Sequence, residues 1–325
     1  MNSMIKISAK GKPYYIPNAW HLLTPQAYIE LMADIVEFSA GRLSAGMVKV
    51  RYVARELGIR LKKVKDEDAF ANLVWIAEQV TFPFLICYPD NDAALKDLDA
   101  LTRAKYKRLA PERINGDALA RYLAKQDYRY TLDGMFCAQL LPELKIGYKR
   151  LKGYSINTEY GALTCSLVAQ QWLEARKLSS AEIQDPEQLA LLVAILYCPK
   201  PYSTESAKHI ASLLKALSVS TLQAVAFNFN AFNNFIFRRT EFAILAEGKA
   251  TKKAITVEAD ARLYDLSSYG LGSSSEVEQL NIITYLTILR NKLIESVRSL
   301  HGANMKLADI ATETGLPVSL ITEII

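Results

Sequence analysis

A chain of 325 residues, half of them apolar or aromatic and 22% charged, is long enough for two or three domains and composed like an ordinary globular protein, which excludes disordered and fibrous classes. Its net charge of +5 is modest for this length, and its four cysteines, Cys87, Cys137, Cys165 and Cys198, stand far apart with no C-x-x-C pair, which argues against zinc and against a disulfide framework. With no signal-peptide pattern, and with Asn228, Asn230, Asn233, Asn234, Arg238 and Arg239 interrupting the aromatic segment 224–246, the expectation is a cytoplasmic, non-membrane protein with buried, reduced thiols.

In chain order, Ile5 and Ile7, then Gly11-Lys12-Pro13, then Tyr14 and Ile16 predict a β-hairpin over residues 4–17. Thr24-Pro25 supplies an N-cap and a first-position proline, and Tyr28, Leu31, Met32, Ile35 and Phe38 recur at helical spacing until Gly41. A second helix is predicted over 44–57, stopping at Gly58, and a third over 66–80. The apolar run 82–88 is short enough for a strand before the turn Pro89-Asp90-Asn91-Asp92. Residues 93–141 show weak periodicity and read as polar helix and loop.

A second hairpin is predicted over 144–157. Ser179 and Glu182 have capping-box spacing, and Asp185-Pro186 with Gln188 starts a buried helix over 189–197 that Pro199 and Pro201 end. Ser203 or Thr204 caps the next helix, with Ile210, Leu213, Leu214 and Leu217 as its apolar face. Phe229, Phe232, Phe235, Ile236, Phe242 and Leu245 predict one further helix. Residues 267–275, with Gly270 and Gly272, look like a linker, after which Ser275 and Glu278 would cap a long helix running from Val277 to Leu300. The fold class expected is mainly α, helical-bundle-like, with short β-hairpins, divided into 1–143, 144–266 and 276–325.

Tyr14, Ile16, Trp20, Leu23 and Thr24 share their spacing with Tyr154, Ile156, Tyr160, Leu163 and Thr164, each set following a glycine, which suggests a unit used twice. The stretch Gly11-Lys12-Pro13-Tyr14-Tyr15-Ile16-Pro17-Asn18-Ala19-Trp20-His21-Leu22-Leu23-Thr24-Pro25-Gln26, echoed at 153–172, resembles the opening of proteins encoded in phage and prophage regions of Bacteroidetes-type bacteria, some of them similar to tail-assembly chaperones. That resemblance implies a helical, non-enzymatic protein that binds other phage structural or assembly proteins in the host cytoplasm or on the virion. Tyr14, Trp20, Tyr154, Tyr160, Phe229, Phe232 and Phe235 are the candidate interaction residues.

The alternative is a DNA-binding or regulatory protein. Residues 307–321 have helix-turn-helix spacing, with Ala311 at the close contact, Gly315 at the turn, and Ile310, Leu316 and Ile321 inside. Arg42, Lys49, Arg51, Arg55, Arg60, Lys62, Lys63 and Lys65 form a basic run, of which Arg51, Arg55, Lys62 and Lys63 are the candidate phosphate contacts; Arg103, Lys105, Lys107 and Arg108 form a second. Against this reading, the segment after Pro317 offers Ser319, Thr322 and Glu323 but no Lys or Arg.

No enzyme, cofactor or metal site is expected. His21, His209 and His301 have no ligand partner at suitable spacing, Gly270 to Ser275 lacks the lysine of a phosphate loop, and Asp90, Asp92, Asp97 and Asp99 lack the glycine and distal glutamate of a calcium loop.

Overall fold

The structure, a computed structural model, describes residues 3–9, 11–88, 92–114, 117–179, 185–247 and 273–325. The chain forms two compact units, Met1–Gly134 and Met135–Ile325. The fold is mainly α, and among the described residues the strands form only two-stranded antiparallel sheets. Among the described residues no helix is long and apolar enough to cross a membrane.

In the first unit, β1 (Met4–Ala9) pairs with β2 (Lys12–Pro17) around Gly11, whose φ of +73° is the left-handed turn a side chain resists. Ile5 and Ile16 face each other on the buried side. A single 3₁₀ turn, Trp20–Leu22, then brings the Trp20 ring edge-on to Tyr28 and Phe82, and its Nε1 donates to the Asp133 carbonyl at 2.9 Å. Helices α1 (Pro25–Ser39), α2 (Ala45–Glu56) and α3 (Glu67–Glu78) begin on Thr24, Ser44 and Asp66, whose side chains accept from the amides of Ala27, Met47 and Ala69. Gly41 and Gly58, both at positive φ, follow α1 and α2 as expected, and α2 packs against both α1 and α3.

β3 (Phe84–Cys87) confirms the apolar run as a strand, and its partner is β4 (Arg129–Leu132), from the stretch of weak periodicity. That stretch also holds two short helices, α4 (Ala100–Tyr106) and α5 (Ala118–Leu123), around a separate core of Ile86, Tyr88, Leu95, Tyr106, Ile114 and Leu123.

In the second unit the expected hairpin over 144–157 is corrected to β5 (Glu143–Ile146) with β6 (Lys149–Lys152), turning at Gly147; Ile156 belongs instead to a second pair, β7 (Ile156–Asn157) and β8 (Thr164–Cys165). The suggested repeat therefore holds through a strand and a 3₁₀ turn, Trp20–Leu22 against Glu159–Gly161, and then fails. Thr24 caps a helix, whereas Thr164 lies in β8, and α6 (Ala169–Ser179) starts later.

Apolar on every side, α7 (Pro186–Leu196) is surrounded by α6, α8 (Thr204–Leu214) and α9 (Val219–Arg239). Asp185 and Ser203 cap α7 and α8; the Ser179–Glu182 box extends beyond the described residues. The aromatic helix ends earlier than expected, because Thr240 turns extended, donates its hydroxyl to the Ile236 carbonyl and accepts from Phe242 N. Phe242 and Leu245 thus fall in a 3₁₀ turn and in α10 (Ile244–Glu247).

The linker expected over 267–275 lies outside the described residues up to 272. The capping box that follows is Ser273 with Glu276, two residues before the expected pair, and starts α11 (Ser274–Glu278). The long helix is not continuous with it. Ala169 N donates to the Leu280 carbonyl at 2.8 Å and Ile282 N to the Leu167 carbonyl at 3.0 Å, so the backbone at 280–282 bonds like a strand to 167–169. Asn281 donates its side-chain amide to the Cys165 carbonyl and caps α12 (Ile282–Gly302). α13 (Leu307–Thr314), Gly315 at φ +72° and α14 (Val318–Ile324) complete the corner, with Ile310, Leu316 and Ile321 packed on Val297 and Ile244.

Candidate binding cleft beside Lys49

Several aromatic residues singled out for interaction prove to be core. Trp20 and Tyr154 are 4% exposed and Phe229 and Phe232 fully buried, so these four cannot meet a partner without unfolding. The asparagines between the phenylalanines explain why α9 has this composition: Asn228 accepts from Leu140 N at 2.8 Å and donates to the Ala138 carbonyl at 2.6 Å, while Asn233 accepts from the Trp172 indole. Each buried amide ties a stretch of irregular backbone or a ring to the helix. Phe235 is half-buried, Tyr14 is 37% exposed on β2, and the Tyr160 side chain lies outside what is described.

The proposed phosphate contacts divide in two. Arg51 and Arg55 on α2 both bind the buried carboxylate of Asp34 on α1, at 2.9 and 2.6 Å, and so serve to clamp two helices rather than reach for phosphate. Lys62 and Lys63 remain exposed. In the second run, Arg103 donates to the Leu95, Lys96 and Leu98 carbonyls and Arg108 pairs with Asp133 at 2.6 Å. The C-terminal corner has helix-turn-helix shape, but α14 carries no basic residue. His21, His209 and His301 are exposed on separate elements, and among the described residues no group of three His, Cys, Asp or Glu could hold a metal.

The one member of the basic run that is buried, Lys49, opens onto a feature the spacing arguments missed. A cleft of about 530 Å³ in the first unit lies between α2, α3, residues 108–113 and β4, and Lys49, 7% exposed, lines it. α2 places Lys49 among its buried positions, with Ala45, Tyr52 and Val53 at helical spacing, and that stripe packs inward. The outer wall is α3, which buries only Leu73 and Ala77. Phe70, 39% exposed, and Val74 face the cleft, and Trp75, 61% exposed, continues the apolar surface past its rim.

The other charged groups around the cleft have hydrogen-bonding partners. Arg113 pairs with Glu78, Arg108 with Asp133, and the Tyr128 hydroxyl donates to Glu112 at 3.2 Å. Lys49 Nζ sits 5.5 Å from the Tyr130 ring centre, and among the described residues it has no ion pair. Burial pushes its pKa from 10.5 down to about 8, only partly opposed by the charge of Glu78. Burial and the neighbouring acid also raise the Tyr128 and Tyr130 phenols, which stay neutral. The arrangement can hold an apolar group along α3 and an anionic group at the floor.

Compared with protein-family models, with curated proteins and with solved structures, the chain matches none.

Proposed function

We propose that the chain is a non-enzymatic phage or prophage protein that binds another structural or assembly protein through the α2–α3 cleft. The observation that carries this reading is α3 itself: a well-capped helix with Phe70 and Trp75 exposed beside an apolar-walled cleft. Large exposed apolar side chains clustered at a concave site favour a protein surface as guest. The N-terminal resemblance to tail-assembly proteins supports the choice of partner class.

Co-expression with each product of the neighbouring genes, followed by co-purification, tests the proposal. Stable capture of one such product by the wild-type chain, lost when Phe70 and Trp75 are both changed to alanine, supports it. A chain that binds none, or whose capture is indifferent to both changes, overturns it.

A further inference from the structure

We infer that the floor of the cleft is a recognition site for an acidic side chain, an aspartate or glutamate borne on an apolar segment of the partner protein, whose carboxylate seats on Lys49. The inference rests on the binding reading above and names the chemistry of its guest.

Three observations converge on it. Lys49 is a buried cation that faces open space in the cleft. Of the carboxylates nearby, Glu78 is paired with Arg113, Asp133 with Arg108, and Glu112 accepts from the Tyr128 hydroxyl, and none of them forms an ion pair with Lys49. The walls above it, Phe70, Val74 and Met47, are apolar.

A single buried ammonium between apolar walls suits a monoanion on an apolar stem. A phosphate dianion would need more free donors than one ammonium supplies. A guest carboxylate would supply the partner that burial makes valuable, since an ammonium out of water is costly until it is paired. Phe70 at the cleft and exposed Trp75 both belong to α3, so the segment carrying the acid would run on along that helix.

The test uses the full chain and two probe peptides, acetyl-Phe-Glu-Leu-amide and its glutamine counterpart acetyl-Phe-Gln-Leu-amide, with binding followed by Trp75 fluorescence. Lys49→Met serves as the variant, and its thermal unfolding establishes that it folds. Expected is binding of the glutamate peptide about tenfold tighter than the glutamine peptide, the order of a charge-assisted hydrogen bond. The difference should vanish in Lys49→Met, and it should shrink as pH rises above 8, where Lys49 loses its proton while the Tyr128 and Tyr130 phenols, raised by burial, keep theirs; the other charged groups facing the cleft are Glu78, Glu112, Arg108 and Arg113. Equal affinity for the two peptides, a preference that survives Lys49→Met, no binding of the glutamate peptide at millimolar concentration, or stronger competition by inorganic phosphate than by acetate overturns it. Partner capture that is lost on changing Phe70 and Trp75 but unaffected by Lys49→Met would refute this inference and leave the proposed function standing.

Discussion

The Lys49 ammonium lies 5.5 Å from the centre of the Tyr130 ring, which offers it the negative face of an aromatic but no hydrogen-bond acceptor. Such a contact is worth about 0.5–2 kcal/mol, less than the cost of burying an unpaired charge. The lowered pKa of about 8 expresses that imbalance.

Lys49→Met should therefore stabilise the first unit. The folded pKa of about 8 lies below the ordinary 10.5, so between those values the unfolded chain binds more protons and the stability of the wild type rises with pH. Below about 8 the cost is fully present, up to about 3 kcal/mol. Denaturant unfolding at pH 7 should show Lys49→Met more stable by about 1–3 kcal/mol, with the gap closing by pH 10. A variant less stable than wild type at pH 7 would mean the amine has a partner.

Trp75 should behave unlike the other two tryptophans. At 61% exposed against 4% for Trp20 and 1% for Trp172, it accounts for nearly all fluorescence that acrylamide can quench, and Trp75→Phe should remove that accessible component. Trp75→Ala should change stability by no more than about 0.5 kcal/mol, whereas Trp20→Ala should cost about 3–5 kcal/mol.

Asn228 holds both the Leu140 amide and the Ala138 carbonyl from inside the second unit. Replacing it with alanine leaves two buried backbone groups without partners and should cost about 2–4 kcal/mol in denaturant unfolding. The same change at exposed Asn291, whose side chain only accepts from Arg290 at 3.4 Å, should cost far less. Similar losses at both positions would remove the structural role given to Asn228.

Two glycines should respond oppositely to alanine. A Cβ on Gly153 would come 2.9 Å from the Tyr197 ring, whose hydroxyl donates to the Leu141 carbonyl, so the ring cannot retreat freely; about 1–3 kcal/mol should be lost. Gly302, the last residue of α12, has open space around it, and alanine there should gain up to about 1 kcal/mol. Thermal unfolding of both variants checks the pair.

What the residues disclose in advance is mostly local. Thr24, Ser44, Asp66, Asp185 and Ser203 cap helices because each bond closes within two or three residues, and such spacing is visible in one line of sequence. The break at Leu280–Asn281 is not visible there, because it is set by backbone bonds to residues 165–169, more than a hundred positions away. For the same reason the β3–β4 pairing was hidden: only tertiary contact tells residues 129–132 that they are a strand. The aromatic stripe of α9 was legible as helix, but which of its asparagines are buried is set by partners at Ala138, Leu140 and Trp172, far away in the chain. Lys49 could have been found. It shares a helical stripe with Ala45 and Val53 in α2, and a lysine on an apolar stripe differs from one in a solvated run even where other charges flank it in sequence.

The most direct measurement is an NMR titration of the lysine side chains in the full-length protein, with Lys49 assigned through Lys49→Met. One lysine titrating near pH 8 and moving upward when the glutamate peptide is added is the expected result. Lys49 titrating above 10 in the free protein, or unmoved by the peptide, would contradict an open, unpaired cation waiting at the floor of the cleft.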